Sequence, residues 1–271
     1  MAVPEAAVSF GALLRKWRQR RNLSQFALAL RSAVSARHLS FIETGRARPS
    51  REMVLHLAER LDVPLRERNR LLLAAGFAPA FRERSFDESE MAPMREALER
   101  FLSAHEPYPA LVVDRHWNVV ALNRGVAFIN RGVAAELRTP PANALRIALH
   151  PDGLASQISN LANWSGYLLA RLRREIEATR DPELESLYQE LVTYPGTTTE
   201  HDPADLPNPN DPLLMQELRI DDRQLAFFCT FTTFGTPRDL TLAELTIVAF
   251  YPANPETVEA LTVAVSEAEP D

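Results

Sequence analysis

The sequence has little cysteine, little glycine and no long apolar run, and each shortage excludes a class of protein. A single cysteine, Cys229, excludes an intramolecular disulfide and is typical of proteins from a reducing compartment. The nine glycines form no phosphate-binding loop, which argues against a nucleotide enzyme. No apolar run reaches the roughly 18–20 residues that cross a bilayer. The N-terminus also lacks the basic start and apolar stretch of a secretory signal, so we expect a cytoplasmic protein with no membrane partner.

The charged residues are unevenly distributed along the chain. Residues 1–80 contain 14 Lys and Arg against 6 Asp and Glu, a balance of +8, although the whole chain has a formal net charge of −6. Residues 81–271 contain 16 against 30, a balance of −14. With 46% hydrophobic residues over 271 positions, this division predicts two globular domains, each with its own core. A basic N-terminal domain is expected where phosphates are contacted.

The stretch from Leu23 to Ser50 predicts two short helices joined by a tight turn. Ser24 and Ser35 are N-cap residues, because a serine hydroxyl accepts a hydrogen bond from the free backbone N–H groups at a helix start. Apolar residues recur at helical spacing after each serine, and only residues 32–34 separate the two helices. Gly45 ends the second helix as a C′ glycine. The pattern is typical of a helix-turn-helix, and a helical hairpin that only packs within an all-α domain is the alternative.

The motifs LSQ..LA, VS..HLS.IE.G and R..PS within this stretch resemble the lambda-repressor-like helix-turn-helix domains called XRE-type. The resemblance implies an all-α domain of five helices, which we place at residues 9–80 after a tail at residues 1–8. It also implies a structural ion pair between Arg18 and Glu43. The family usually has glycine in the turn, where this chain has Ala33. A left-handed alanine costs roughly 1–2 kcal/mol, which a folded domain tolerates.

In a helix-turn-helix the N-terminal turn of the second helix enters the major groove, so its outward side chains reach base edges. Arg37 is the expected base reader rather than a solvated charge, because a guanidinium bonds guanine O6 and N7 together. Phe41 either contacts a thymine methyl group or packs within the domain, while Arg46 and Arg48 are expected at the phosphate backbone. The family resemblance implies that Gln25 contacts a phosphate or an outer base. The predicted DNA-binding residues are Gln25, Ser35, Ala36, Arg37, His38, Ser40, Phe41, Arg46 and Arg48.

Residues 81–92 combine mixed charge with little periodicity, which predicts a linker. Two β-rich runs follow at residues 110–113 and 118–122, and the polar turn between them predicts a hairpin. This pattern, VVD…NVVALN, resembles the opening hairpin of a PAS domain, a sensor fold with a five-stranded antiparallel sheet. Together with NALRIALHPDGL and FFCTFTTFGTPRDLTLAELTIVAFYP, it resembles the ligand-binding domain of MmyB-like transcription regulators, a family that pairs this domain with an XRE-type head. We place the domain at residues 93–265, followed by a tail at residues 266–271.

The rest of the second domain contains both helices and strands. Apolar residues at three- and four-residue spacing predict helices, and runs of β-branched and aromatic residues predict strands. The predicted helices are residues 154–180 and 184–191, a proline-rich loop covers residues 197–212, and the predicted strands are residues 213–220, 224–234 and 245–251. The fold class is therefore α+β: an all-α five-helix lambda-repressor-like DNA-binding domain followed by a PAS-like antiparallel β-sheet domain with helical insertions.

The second domain shows no pattern of catalytic or metal-binding residues. His150 and His201 lack the spacing that gathers a metal ion. Cys229 lies in an aromatic strand, where a buried and inert thiol is far commoner than a nucleophile. His150 also matches the MmyB-like motif LHPDG, in which we expect a cap or a turn. We therefore predict no catalytic residue, no metal and no enzyme activity.

A PAS-like sheet covered by helices leaves space for a small molecule, and we expect no other cofactor. The expected ligand is apolar or amphipathic, such as a fatty acid, whose carboxylate needs a cationic partner. Arg124 and Arg146 are the two candidates, and the sequence does not rank them. The predicted ligand-binding residues are Val119, Arg124, Arg146, Trp164, Leu168, Phe227, Phe231 and Phe250. The alternative is that these aromatic side chains form an ordinary filled core.

Taken together, these features predict a sequence-specific DNA-binding transcription regulator whose second domain senses a ligand. One small DNA-binding domain makes few phosphate contacts, so a homodimer on a palindromic operator is expected. A second interpretation makes the C-terminal domain a constitutive dimerisation or protein-docking module without ligand. A third, an enzyme with a DNA-binding regulatory domain, needs a polar constellation that the sequence does not offer.

Overall fold

The chain forms two compact units in the computed structural model. The head unit comprises Met1–Ser85 with Thr236–Ala243, and the sheet unit comprises Phe86–Gly235 with Glu244–Asp271. The structure describes residues 9–199, 213–235, 237 and 239–267.

Several sequence predictions fall outside the described residues. They are the tail at residues 1–8, His201, most of the loop at residues 197–212 and the final residues 268–271. In the described part the elements are α1 (Phe10–Arg20), α2 (Gln25–Arg31), α3 (Ala36–Glu43), α4 (Arg51–Arg60), α5 (Leu65–Ala74), α6 (Ala92–Ala104), β1 (Ala110–Val113), β2 (Val119–Leu122), α7 (Arg124–Ile129), α8 (Ala135–Arg138), α9 (Ala144–Leu149), α10 (Leu161–Thr179), α11 (Pro182–Leu191), β3 (Gln216–Ile220), β4 (Arg223–Thr233), α12 (Leu240–Ala243), β5 (Thr246–Pro252) and α13 (Pro255–Glu267).

Serine caps begin four helices of the head unit. The hydroxyls of Ser9, Ser24, Ser35 and Ser50 each accept a hydrogen bond from the backbone N–H three residues further on, at 3.0–3.3 Å. Removing such a cap costs about 0.5–2 kcal/mol. The two caps predicted for the helix-turn-helix are confirmed, and they fix the starts of α2 and α3.

A left-handed residue closes the turn between α2 and α3. Ala33 has φ +52°, so alanine adopts the conformation that glycine usually provides at this place, at a cost of roughly 1–2 kcal/mol. The predicted stop of α3 at Gly45 is also confirmed, with φ +74°. Glycine takes this conformation without a clash of its own, and the next N–H, that of Arg46, donates to the carbonyl oxygen of Phe41 at 2.8 Å.

The head unit also contains a segment from far along the chain. α12 packs against α5, and the backbone N–H of Leu240 donates to the carbonyl oxygen of Arg82 at 2.8 Å. The guanidinium of Arg84 lies 2.6 Å from the buried carboxylate of Asp239. The predicted linker at residues 81–92 is therefore corrected, because its first part is anchored to the connection between β4 and β5. Local patterns do not reveal contacts between residues 155 positions apart.

The sheet unit is built on a five-stranded antiparallel sheet with the strand order β2-β1-β5-β4-β3. The pairing register places Leu122, Leu111, Val248 and Phe231 in one row across four strands. Residues directly opposite each other in antiparallel strands point to the same face. This row therefore forms a continuous apolar strip on one side of the sheet.

The predicted hairpin is formed by β1 and β2. One carboxylate oxygen of Asp114 accepts from the backbone N–H groups of His116 at 2.8 Å and Asn118 at 2.9 Å. Trp117 takes the left-handed conformation within this turn, with φ +67°. Because these bonds draw residue 118 into the turn, β2 begins one residue later than predicted.

The helix expected over residues 154–180 is shorter in the structure. Ile158 is extended and forms a β-bridge with Leu218, so α10 begins only at Leu161. Arg180 ends α10 in the left-handed conformation, and the carboxylate of Asp181 then caps α11. Together with α7 and α9, α10 covers the sheet face that carries the apolar strip.

Candidate functional site

The start of α3 exposes its side chains to solvent. Ser35, Ala36 and Arg37 are exposed, whereas Leu39 and Ile42 on the inner side are buried in the core of the head unit. The apolar side thus fixes the position of the helix and leaves its outer side free.

The other residues predicted for DNA binding lie on α3 or directly after it. His38, Ser40 and Phe41 are half-buried, and Arg46 and Arg48 are exposed. The arrangement supplies cationic groups at both ends of the helix. Contacts with base edges are expected from the first turn, and contacts with phosphates from the loop that follows the helix.

The side chain of Arg37 lies over the ring of Phe41, one helical turn away. Its guanidinium carbon is 5.4 Å from the ring centroid, a cation–π distance. Phe41 is therefore a neighbour of the predicted base reader. Such a contact at an exposed site contributes about 0.5–1 kcal/mol and restricts the directions in which the guanidinium can point.

The predicted pair of Arg18 and Glu43 is present and joins α1 to α3. The guanidinium donates from Nε to Oε1 at 2.6 Å and from Nη2 to Oε2 at 2.9 Å, and both residues are buried. Burial alone raises the pKa of the Glu43 carboxyl, but the hydrogen bonds from Arg18 and Gln25 outweigh it and the pKa is lowered. Glu43 thus stays ionised and fixes the inner side of α3.

Gln25 is half-buried at the start of α2 and contacts the same carboxylate. Its Nε2 donates to Oε2 of Glu43 at 2.7 Å. This bond orients the side chain and leaves the second N–H of the carboxamide to donate and its oxygen to accept. The contact of Gln25 with a phosphate or an outer base stays a prediction.

A cavity of about 350 Å³ lies in the sheet unit between the sheet and the helices α7, α9 and α10. The row of Leu122, Leu111, Val248 and Phe231 lines it from the sheet. Its lining is mainly apolar, and its volume lies at the lower end of the roughly 300–1,000 Å³ found for small-molecule pockets.

The structure brings five of the eight predicted ligand-binding residues together around this cavity. They are Val119 of β2, Trp164 and Leu168 of α10, Phe231 of β4 and Phe250 of β5. Elements separated by more than a hundred residues thus converge on one apolar space.

Phe227 lies on the same face of β4 as Phe231 but outside the cavity. It is 1% exposed and packs edge to face against Phe250, with ring centroids 6.2 Å apart. Phe227 is therefore an ordinary buried core residue, as the alternative interpretation of these aromatic side chains expected. The cavity begins only further along the strand, at Cys229.

The two arginines expected to meet a ligand carboxylate do not line the cavity. Arg124 lies 2.6 Å from the carboxylate of Glu106, and Arg146 lies 2.7 Å from that of Glu190. The hydrogen bonds from these arginines lower the pKa of Glu106 and of Glu190. Both carboxylates therefore stay charged at neutral pH, and each arginine already has an anionic partner.

Arg138 is the charged lining residue that sequence reasoning missed. It is the last residue of α8, it is exposed, and no other described residue that lines the cavity carries a charge. No carboxylate in the described part of the chain pairs with it. The surrounding letters, AELRTPP, show no periodicity, because the position of Arg138 depends on tertiary contacts of a four-residue helix.

The rings of Trp117 and Phe231 form one wall of the cavity, and side chains of α10 hold them in place. The guanidinium of Arg171 lies 3.9 Å from the ring centroid of Phe231 and 5.5 Å from that of Trp117. The indole N–H of Trp117 donates to Glu175 at 2.9 Å. Burial raises the pKa of Glu175, and the bond from Trp117 opposes that rise only in part. These contacts hold both rings against α10.

The cavity lacks an activated nucleophile. Cys229 is the one nucleophilic side chain among the described residues that line it, and burial raises the pKa of its thiol to about 12. Such a thiol is almost entirely protonated at neutral pH and therefore unreactive.

Over the described ranges, no three His, Cys, Asp or Glu residues gather as metal ligands do. No described helix is long and apolar enough to span a membrane.

The two units together define the class of protein. One carries a helix-turn-helix whose second helix is exposed, the other encloses an apolar cavity, and the chain is thus a DNA-binding protein with a small-molecule domain. The family model of the MmyB-like transcription regulator ligand binding domain matches residues 94–263, and that of a helix-turn-helix domain matches residues 9–71. The chain belongs to the MmyB-like transcription regulators. It is a DNA-binding transcription regulator with a ligand-binding domain, as its motifs predicted.

No curated protein matches this sequence. Among solved structures, "Structure of an RNA-binding Light-Oxygen-Voltage Receptor" is similar at 15% sequence identity, with a TM-score of 0.27. The match covers 99% of this chain and 64% of that chain, so this chain spans less than two thirds of the other's length. A likeness this weak carries no argument about fold or function.

Proposed function

We propose that this regulator binds a palindromic operator as a homodimer in the cytoplasm, and that a fatty-acid-like molecule in the sheet unit alters its affinity for DNA. The supporting observation is the apolar cavity of about 350 Å³ that Arg138 borders as its single charged residue among those described. The role is non-catalytic, in keeping with the protonated thiol of Cys229.

An amphipathic acid satisfies both parts of this cavity. An acyl chain that leaves water for the apolar lining gains about 0.8 kcal/mol for each buried methylene. Its carboxylate is then placed near the exposed guanidinium of Arg138. Because an exposed ion pair contributes only about 0–1 kcal/mol, the chain provides the affinity and Arg138 sets the orientation.

Pairing of two chains follows from the small surface of one head. A single recognition helix contacts one half-site, whereas two related helices contact half-sites about one turn of DNA apart. A homodimer therefore doubles the phosphate contacts and requires an operator with matching two-fold symmetry.

The chain offers a covalent route from the cavity to the head. Phe231 of β4 and Val248 of β5 both line the cavity, and the connection between these strands belongs to the head unit. A ligand that displaces either strand therefore acts on the segment that Arg84 and Asp239 anchor. We place the coupling between ligand and DNA in this segment.

Replacing Arg84 with alanine tests this route. In the wild type we expect dodecanoic acid to change the affinity for operator DNA by a typical allosteric coupling energy of about 1–3 kcal/mol. Without the ion pair between Arg84 and Asp239, the ratio of operator affinities with and without the acid should be close to 1. Fluorescence anisotropy with labelled operator measures the ratio. Arg70→Ala, which removes an ion pair that involves an exposed arginine within α5, is the control and should leave the ratio unchanged. A normal ratio in Arg84→Ala would rule out the ion pair between Arg84 and Asp239 as the link that carries the coupling.

Denaturing extraction of the full chain, followed by mass spectrometry, tests whether the cavity holds a ligand. We expect a stoichiometric carboxylic acid with an apolar chain from the wild type. Leu168→Trp, which adds bulk from a lining residue, is expected to reduce the bound amount at least roughly tenfold because the added ring occupies the same space.

Leu168→Met keeps the volume of the side chain and is the matched control, with unchanged extraction expected. If neither the wild type nor the control yields an acid, and added dodecanoic acid does not raise the melting temperature, the ligand proposal fails. The dimerisation or docking module without ligand then becomes the better interpretation.

A further inference from the structure

Two polar atoms in the lining of the cavity have no hydrogen-bond partner. They are the indole nitrogen of Trp164 and the carboxamide oxygen of Gln216, and neither bonds to any group in the described part of the chain. Both residues line the cavity, and each is only 3% exposed. Nearly all buried polar side chains in proteins are hydrogen-bonded, so two such atoms around one cavity point to a group on the ligand.

The side chain of Asn160 joins the two elements that carry these residues. Trp164 lies in the first turn of α10, and Gln216 begins β3. Asn160, directly before α10, donates from Nδ2 to the carbonyl oxygen of Met215 at 2.7 Å and accepts at Oδ1 from the N–H of Glu217 at 3.2 Å. Since these two residues flank Gln216, the Asn160 side chain ties the start of α10 to the start of β3.

The two atoms need opposite hydrogen-bonding partners, one an acceptor and the other a donor. An indole N–H can only donate a hydrogen bond, and a carboxamide oxygen can only accept one. The Trp164 ring is further held by stacking on Tyr167, with ring centroids 5.7 Å apart. A saturated acyl chain satisfies neither atom, whereas a hydroxyl group both accepts and donates.

We propose that the ligand carries a hydroxyl group on its apolar chain, which accepts from Nε1 of Trp164 and donates to Oε1 of Gln216. This inference rests on the proposed ligand-binding function and names the chemical class of the ligand as a hydroxylated fatty acid. The carboxylate lies at the exposed Arg138, and the hydroxyl is recognised inside the cavity. A site built to bond a hydroxyl discriminates against the analogue that lacks it, because its own buried polar atoms are then left unpaired.

Calorimetric titration of the full chain with dodecanoic acid and with each of its monohydroxy isomers tests the inference. We expect at least one isomer to bind roughly 10- to 100-fold more tightly than the unsubstituted acid, the combined effect of two hydrogen bonds. The favoured isomer also reports how far the hydroxyl lies from the carboxylate at Arg138.

Substitution of Trp164 and of Gln216 tests whether these two residues recognise the hydroxyl group. Gln216→Met replaces the whole carboxamide by an apolar group of similar volume, and Trp164→Phe removes the indole N–H together with part of the ring. Each is expected to lower the preference for the hydroxy acid by about 3- to 10-fold. Part of this change should come from tighter binding of dodecanoic acid, because each substitution removes a polar atom that this acid leaves unpaired. Because the two variants are independent, one that fails to fold leaves the other informative. Leu191→Met, an apolar change in the core of the sheet unit at a residue that does not line the cavity, should keep the full preference.

Three results would overturn the inference. If every isomer binds no better than dodecanoic acid, the two polar atoms are bonded to ordered water and the cavity does not recognise a hydroxyl group. The proposal that the cavity binds a fatty-acid-like ligand then still stands. If the preference survives both substitutions, another group reads the hydroxyl. If no acid of the series binds at all, the proposed ligand class fails and this inference fails with it.

Discussion

Replacing Glu43 with alanine is expected to destabilise the head unit by about 3–5 kcal/mol, because it leaves the guanidinium of Arg18 buried without a carboxylate partner, with the carbonyl oxygen of Leu23 still accepting from it. Gln25 loses its hydrogen bond in the same step. A domain of this size loses roughly 4–8 °C of melting temperature for each kcal/mol. Hydrogen exchange of the backbone N–H groups of α1 and α3 in the full chain, followed through a urea titration, measures the change in the head unit.

Two controls separate the buried pair from ordinary surface charge. Glu67→Ala breaks an ion pair in which Arg70 is 60% exposed, and it should cost no more than about 1 kcal/mol. The double variant Arg18→Met with Glu43→Leu replaces both charges by apolar groups and should recover most of the loss. A loss in Glu43→Ala as small as that in Glu67→Ala would show that the pair does not stabilise the head.

The same carboxylate makes the stability of the head depend on pH. The folded state lowers the pKa of Glu43 from its ordinary 4.5, because the bonds from Arg18 and Gln25 outweigh the effect of burial. A group whose folded pKa is depressed stabilises the fold fully above its unfolded pKa. The advantage of the wild type over Glu43→Gln should therefore be constant above about pH 5 and shrink as the pH falls through the lowered pKa. An advantage that grows on acidification would contradict this sign.

Features fixed by nearby residues could be predicted from the sequence. The serine caps, the turn at Ala33 and the hairpin before Val119 each depend on contacts within a few residues, so local patterns carry the information. The apolar lining at Trp164 and Leu168 followed from helical periodicity. Local sequence therefore predicted the helix-turn-helix and five of the apolar residues that line the cavity.

The charged and polar parts of the cavity could not be predicted in the same way. Arg124 and Arg146 were reasonable carboxylate partners until tertiary contacts paired them with Glu106 and Glu190, 18 and 44 residues away. The position of Gln216 at the cavity likewise depends on pairing between β3 and β4. Which cation stays unpaired is decided by the whole fold, and a single sequence contains no local signal for it.

The anchoring of the β4–β5 connection in the head unit was also beyond the sequence. Arg84 lies in a stretch of mixed charge and little periodicity, and its partner Asp239 lies 155 residues later. Either residue alone predicts a solvated charge. The pair becomes visible only when folding places α12 against α5, and with it the proposed path from ligand to DNA.

Replacing Arg37 with alanine is expected to weaken operator binding by about 1–3 kcal/mol per half-site, roughly 5- to 150-fold, because a guanidinium paired with guanine accounts for that much discrimination. Arg37 is exposed and contacts mainly the ring of Phe41, so the head should remain folded. Fluorescence anisotropy with an operator selected from random DNA, and with variants that lack single guanines, measures both affinity and specificity.

The specificity of the loss is what identifies a base reader. In Arg37→Ala, replacement of the contacted guanine should cost little more, since the interaction is already absent. Arg46→Ala and Arg48→Ala should instead weaken binding to all sequences alike and each reduce the salt slope by about 1, as loss of a phosphate contact does. Arg37→Lys, which keeps the charge but not the two parallel bonds, should resemble alanine at the guanine position and the wild type in its salt slope. If Arg37→Ala behaves like the two loop variants, Arg37 contacts phosphate, and base reading must be assigned to other residues on the outer side of α3.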